Sequence, residues 1–518
     1  MMTKNTLLLE IEKDITPEEL IAFAEERKYV KASENVKKTV QKSRIFLEKH
    51  VKDGTVIYGV NTGMGGFVHK LVSIEKAPEQ QKNLIQAVAT NVGPLLPPRL
   101  ARATMLARII SLSRGCSAIS LENFNRFIAI YNAGIIPEIP SKGSLGTSGD
   151  LGPLAAMAAM LTGSAPFVLL NGKRLPTKEA FSTLKLEPLT LSYKEGLALI
   201  NGTSCMTAFA AENILSANAL LENYVAISGL SFEAFRACIR PFHPDLHKLK
   251  PHQGQRHIAG LLWKYIKDSS LTVDDTHLSK ELANYPAGKE PPEDIAIEDA
   301  YSIRCTPQIL GPVWDTVKFT YNIIHNEINA SSDNPLVTPE NGEIFHNGHF
   351  HGQYISAAMD YLAIAVTTLC NLSDRRADRF LTKANNKGLP AFLCAKDGGF
   401  HFGLMGGQFM GASLTAENRS LTSPVSIQTL STTGDFQDVV SFGLVAARKT
   451  QEIIQNARYI IAFELICAAQ AAEFRGIEKL SQNGSEWFRK TRELVPFIEE
   501  DISLTPYIEA IAEKILSC

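Results

Sequence analysis

Lys142-Gly143-Ser144-Leu145-Gly146-Thr147-Ser148-Gly149-Asp150-Leu151-Gly152-Pro153 carries a glycine at every third position: 143, 146, 149 and 152. Glycine is used where backbone must bend sharply or approach something closely, so the run reads as a tight turn with a purpose. Register excludes two familiar motifs. A phosphate-cradling loop needs Gly-Lys-Ser/Thr after its last glycine, whereas Asp150 follows Gly149. A nucleophile elbow needs Gly-x-Ser-x-Gly, and here the glycine after Gly146-Thr147-Ser148 is out of register.

A further chemistry is open to Thr147-Ser148-Gly149. A Xaa-Ser-Gly tripeptide held in a tight bend can cyclise: the Gly149 amide nitrogen attacks the Thr147 carbonyl carbon and two waters leave. The product is 4-methylidene-imidazol-5-one (MIO), with the former Ser148 Cβ as an electrophilic methylidene. A side chain at 149 would crowd that ring closure.

The rest of the composition is ordinary. The chain has 518 residues, 45% apolar and 20% charged, enough to bury a large core over more than one domain. With 52 basic and 54 acidic residues the formal charge is −2, which gives no reason to expect nucleic acid or an anionic membrane as partner. The cysteines at 116, 205, 238, 305, 370, 394, 467 and 518 are scattered without a Cys-x-x-Cys pair. They read as reduced thiols of a cytoplasmic protein, with no zinc or disulfide framework. No signal-peptide pattern opens the sequence. The uncharged stretch Leu151–Asn171 is broken by Thr162-Gly163-Ser164-Ala165-Pro166, as a buried helix ending in a turn would be.

Helical signals dominate. Thr16-Pro17-Glu18-Glu19 is a helix start running to about Lys28. Further helices are expected over Ser33–Lys52, Pro78–Val92, Pro98–Leu112, Met206–Leu230, Gln353–Asp374 and Asp438–Ala472. Trp314, Val317, Tyr321, Ile324 and Ile328 share one helix face. Thr55–Tyr58 is expected as a short strand, Gly59–Gly66 as a mobile loop, and Asn171-Gly172 as the turn of a hairpin. Breaks are expected near Leu189–Lys194 and Asn284–Glu293. Long helices with too few strands for a sheet predict an all-α fold. Residues 1–190 are read as an N-terminal domain carrying the Gly-rich turn and the Tyr58 loop. Residues 191–518 are read as a domain built on a long central helical bundle.

Four more stretches stand out: Val56-Ile57-Tyr58-Gly59-Val60-Asn61-Thr62-Gly63-Met64-Gly65-Gly66; Leu199-Ile200-Asn201-Gly202-Thr203; Asp299-Ala300-Tyr301-Ser302-Ile303-Arg304; and Ser332-Asp333-Asn334-Pro335, followed by His346-Asn347-Gly348-His349-Phe350-His351-Gly352. Asn201 alone reads as a helix N-cap. The three histidines invite a metal reading. With Thr433-Gly434-Asp435-Phe436-Gln437-Asp438 and the Thr147-Ser148-Gly149 turn, these stretches resemble the MIO-dependent aromatic amino acid ammonia-lyases and aminomutases. The likeness spans residues 56 to 438 and is especially close to bacterial phenylalanine aminomutases, which share Ala87-Val88-Ala89-Thr90-Asn91-Val92-Gly93 and His349-Phe350-His351-Gly352-Gln353-Tyr354.

The resemblance implies an ammonia-lyase-like fold, a homotetramer with active sites built from three subunits, and no metal. It implies MIO formed from Thr147, Ser148 and Gly149. It implies Tyr58 as the base that takes a proton from Cβ, on a loop that closes over the substrate. A phenol with a reference pKa of about 10 needs activation for that task. Asn201 would lie against the prosthetic group and Tyr301 beside the reacting centre. Arg304 would clamp the substrate carboxylate in a two-pronged salt bridge, with Asn334 adding a hydrogen bond. Gly65, Ala87, Val88, Leu151, Phe350, Phe436 and Gln437 would line the substrate site, Ala87-Val88 at the far end of the ring.

The sequence departs from the wider family in three places: Thr147 stands where most relatives have alanine, Glu298 where many have glutamine, and Ala87-Val88 where histidine and tyrosine ammonia-lyases place a histidine. The expected function is a 2,3-aminomutase that converts L-phenylalanine to β-phenylalanine through cinnamate. An ammonia-lyase releasing cinnamate and ammonia, or a non-catalytic helical scaffold, are the alternatives. No membrane or nucleic acid partner is expected.

Overall fold

A computed structural model of the chain describes residues 6–25, 28–286, 288–289 and 297–517. Helices dominate and every strand is short, so the all-α reading stands. The chain forms two compact units, each assembled from separated segments. The first comprises Met1–Asn213, Thr320–Asp360 and Pro424–Arg448; the second comprises Ile214–Phe319, Tyr361–Ser423 and Lys449–Cys518.

The first unit begins with β1 (Thr6–Leu9), α1 (Pro17–Glu25), β2 (Tyr29–Ala32) and α2 (Glu34–Lys52). The start of α1 is a capping box. The Thr16 hydroxyl accepts from the Glu19 amide at 3.2 Å, and the Glu19 carboxylate accepts from the Thr16 amide at 3.1 Å. The next elements are α3 (Ala77–Val88), β3 (Val92–Leu95), α4 (Pro98–Ser113) and α5 (Leu121–Asn132). Helix α4 is buried from Leu100 to Ser113 and forms the centre of this unit's core. After β4 (Ile135–Pro137) and β5 (Pro140–Lys142) the Gly-rich turn leads into α6 (Leu151–Leu161). Strands β6 (Phe167–Leu170) and β7 (Lys173–Pro176) make the expected hairpin, with Asn171 and Gly172 at φ +52° and +77°. Helices α7 (Thr177–Leu184) and α8 (Glu195–Ile200) follow, the break at Leu189–Lys194 falling between them, and then α9 (Ser204–Ala234), of which the residues up to Asn213 belong to this unit.

Several boundaries differ from expectation for identifiable reasons. Thr55–Tyr58 forms no strand. The Asn61 carboxamide accepts from the Ile57 amide at 2.7 Å and donates to the Thr55 carbonyl at 2.8 Å, folding the segment into a turn. Helix α3 stops at Val88 because Val92–Leu95 pairs with β5, the strand that feeds the Gly-rich turn. The helix expected from Asp438 starts at Gly443 and runs to Arg475, because Phe442 takes a left-handed φ of +52°, which no helix continues through. Asn201 is the C-cap of α8 and not an N-cap. Of the expected break at 284–293, residues 287 and 290–293 lie outside the described residues.

In the second unit Arg376, fully buried, ties helices together. It pairs with the buried Glu464 at 3.2 Å and donates to the Ser228 hydroxyl at 2.6 Å and the Thr306 hydroxyl at 2.7 Å. The seven described cysteines are all free. Among the described residues one helix, Gln353–Leu381, is long and apolar enough to cross a membrane, and 72% of its most apolar window is buried in the protein.

Candidate active site

The Gly-rich turn gains its shape from close backbone approach. Gly143, Gly146 and Gly149 have φ of +112°, +77° and +72°, values open to glycine. At Gly146 an added Cβ would strike the Ser441 hydroxyl and come within 2.7 Å of the Phe442 amide. At Gly149 it would overlap the carbonyl of Gly202. The Asp150 amide donates to that carbonyl at 2.7 Å, and the Gly202 amide donates to the Ser148 carbonyl at 3.2 Å. This brace holds the tripeptide bent while leaving Thr147 and Ser148 on a cavity.

The cavity, of about 890 Å³, lies within the first unit. It gathers Tyr58, Gly65, Val88, Thr147, Ser148, Leu151, Asn201, Asn334, Phe350, Phe436 and Gln437 from sites spread along the sequence. The Gln437 carboxamide donates to the Ser148 hydroxyl at 3.3 Å, and the Asn201 carboxamide donates to the Ser148 carbonyl at 3.4 Å. The buried Asn201 Oδ1 has no partner among the described residues. An open acceptor beside Ser148, and a tripeptide whose glycine cannot be replaced, fit the cyclised group that Thr147-Ser148-Gly149 would form.

Tyr58 sits at the mouth of the glycine loop, half-buried. Its hydroxyl accepts from the Gly65 amide at 3.0 Å, which folds the loop back onto the ring. Burial pushes the phenol above its ordinary value, and the Gly65 hydrogen bond opposes that shift only in part. The loop is tied down further by the Gly63 amide donating to the Lys70 carbonyl at 2.7 Å and by Gly66 close against Thr433. The His346 ring nitrogen Nε2 accepts from the Tyr58 amide at 3.1 Å.

His351 Nε2 likewise meets backbone, 3.3 Å from the Val439 carbonyl, while the main-chain amide of His349 donates to the Asn347 side chain at 2.8 Å. Among the described residues no group of three or more His, Cys, Asp or Glu is placed to hold a metal. Asn334 is held by its neighbours: its side-chain oxygen accepts from the Asn347 amide at 2.8 Å.

Three named residues lie elsewhere. Ala87 is exposed and does not line the cavity; one helical step turns it away from the face on which Val88 sits. Tyr301 and Arg304 belong to the second unit. Tyr301 is 70% exposed, and Arg304 pairs with Glu298 at 2.8 Å with its guanidinium 4.9 Å from the Tyr301 ring. The wall includes Leu84, Leu197, Val56, Met64 and Val68, which the sequence reading missed. Leu84 was within reach of it, since it stands one helical turn before Val88.

Behind the turn, Asp150 is fully buried. One carboxylate oxygen accepts from the Met206 amide at 2.8 Å; the other has no partner among the described residues. Burial, together with the nearby Glu327, raises its pKa to about 7.

A family model described as aromatic amino acid lyase matches residues 15–493. The tyrosine ammonia-lyase of Cupriavidus metallidurans is 40% identical over 96% of this chain and 94% of its own. The histidine ammonia-lyase of Bacillus subtilis is 36% identical over 93% of this chain and 91% of its own. The solved structure of Pantoea agglomerans phenylalanine aminomutase superposes with a TM-score of 0.95 and 50% identity, covering 99% of each chain.

Proposed function

The chain belongs to the aromatic amino acid lyase family, and from that premise we propose that it is a 2,3-aminomutase that converts L-phenylalanine to β-phenylalanine by way of cinnamate. The observation that carries this reading is its 50% identity, over 99% of both chains, to a protein named phenylalanine aminomutase. The apolar face that Leu84 and Val88 present to the cavity supports the choice of an unsubstituted ring.

Thr147, Ser148 and Gly149 would form MIO, which supplies an electrophilic carbon at the former Ser148 Cβ. Asn201 and Gln437, already in contact with Ser148, would orient the amine. Asn334 would hold the carboxylate, and Tyr58 would take the proton from Cβ. Because burial raises the Tyr58 phenol, the base needs positive charge or further hydrogen bonds from outside the residues now around it. A homotetramer in which a neighbouring copy brings Tyr301 and Arg304 to the cavity would provide them. Arg304 would then exchange Glu298 for the substrate carboxylate.

The likeness to enzymes named ammonia-lyase favours a second reading, release of cinnamate and ammonia. Incubation with L-phenylalanine and chromatographic resolution of the products decides between them. β-Phenylalanine as main product, with some cinnamate escaping, is expected. Cinnamate and ammonia alone would make the chain a lyase. Absence of turnover on any aromatic amino acid would leave the scaffold reading.

A further inference from the structure

The turn that carries Tyr58 satisfies its own amides, with one exception. The Ile57 amide donates to the Asn61 carboxamide at 2.7 Å, and the Gly59 amide donates to the Thr62 hydroxyl at 3.0 Å. The amides of Val60 and Asn61 donate to the Ile57 carbonyl at 3.1 and 3.2 Å. From Ile57 to Asn61, the Tyr58 amide alone reaches outside the turn, to Nε2 of His346, 288 residues away, at 3.1 Å. A main-chain donor needs an acceptor, and here a distant side chain supplies it.

A hairpin places His346. Strands β8 (Leu336–Thr338) and β9 (Glu343–Phe345) pair antiparallel with Leu336 opposite Phe345, so the chain returns to the neighbourhood of Asn334 at His346. Val337 of β8 is fully buried in one apolar cluster with Ile57 and Val60, which bracket Tyr58, and Ile344 of β9 packs against that cluster. The hydrogen bond therefore spans two segments that already share a core. Asn347 completes the link: its amide donates to the side-chain oxygen of Asn334 at 2.8 Å. With its oxygen so used, Asn334 has its NH₂ group to offer the cavity. The dipeptide His346-Asn347 thus holds both the proposed base and the proposed carboxylate partner, and all four residues line the cavity.

We propose that His346 is a positioning residue for the reaction: by accepting from the Tyr58 amide it fixes the phenol relative to Asn334, and so relative to Cβ of a substrate whose carboxylate Asn334 holds. The inference rests on the proposed reading of Tyr58 as the base. His346 moves no proton itself. An imidazole nitrogen accepts only with its lone pair free, so the role requires an acceptor at the reach of Nε2. A small displacement of the base slows proton removal and leaves substrate binding almost untouched.

The test is kcat and KM for consumption of L-phenylalanine by the full-length protein carrying His346→Gln, His346→Asn or His346→Leu. Glutamine brings an acceptor to about the reach of Nε2, asparagine stops at the reach of Nδ1, and leucine has none. The asparagine and leucine variants should lose about tenfold in kcat, the scale of one hydrogen bond, with KM little changed. His346→Gln should recover most of that loss. Two variants lack the acceptor, so the series stands if one of them fails to fold. Added to Tyr58→Phe, His346→Leu should cost little more, because its effect passes through the phenol. Equal kcat for the glutamine and asparagine variants would overturn this proposal alone. So would a loss that appears in KM, which would make His346 a substrate contact, or a tenfold loss that persists without the phenol. Wild-type turnover by Tyr58→Phe would overturn the base reading and this inference with it.

Discussion

Gly149 and Gly202 lie so close that a Cβ on the first would overlap the carbonyl oxygen of the second. The same carbonyl takes the Asp150 amide at 2.7 Å, so the contact has no room to relax. Gly149→Ala should therefore fail to adopt the bend and fail to cyclise. Intact-mass measurement should find wild type lighter by two waters, and Gly149→Ala and Ser148→Ala at full mass and inactive. A full-mass, active wild type would refute the cyclisation.

Tyr58→Phe removes the proposed base and the acceptor of the Gly65 amide. The fold and the mass loss should survive, while turnover should fall by about 10²–10⁴-fold, the usual worth of a general base. Steady-state kinetics beside intact mass checks both halves. Near-normal turnover would remove Tyr58 from the mechanism.

Asp150 makes stability depend on pH. Its pKa is raised to about 7 in the fold from an ordinary 3.8, so between these values the folded state binds more protons than the unfolded one. Stability should fall as pH rises from about 4 to 7 and then level off. The term is on the order of 1–4 kcal/mol. Asp150→Asn keeps an acceptor for the Met206 amide and should flatten this slope, raising the melting temperature more at pH 8 than at pH 5. Thermal unfolding at both pH values is the measurement, and equal shifts would count against the raised carboxyl.

Substrate choice follows from Leu84 and Val88, which bring no hydrogen-bonding side chain to their face of the cavity. A tyrosine hydroxyl buried there loses water without a partner, at a cost of about 1–3 kcal/mol. L-Phenylalanine should therefore be preferred over L-tyrosine in kcat/KM by roughly one to two orders of magnitude, with L-histidine comparably poor. Val88→Ser should narrow the gap with tyrosine. Equal use of tyrosine by the wild type would refute the assignment of this wall to the ring.

The reactive turn and the helical class were legible in the sequence because both are local. Glycine spacing at 143, 146 and 149 encodes positive φ, and apolar periodicity encodes helices long enough to form a core. The hairpin turn at Asn171-Gly172 was legible for the same reason. Residue type and spacing could not reveal what depends on partners far along the chain. Gly149 is irreplaceable because of Gly202, Asn201 ends one helix instead of starting another, and Val88 faces the cavity while Ala87 does not. Lys194 stands at the end of an expected break between elements, yet it is fully buried against Asp333, 139 residues away. Such positions are set by tertiary packing, where each group's environment comes from segments the local sequence does not contain.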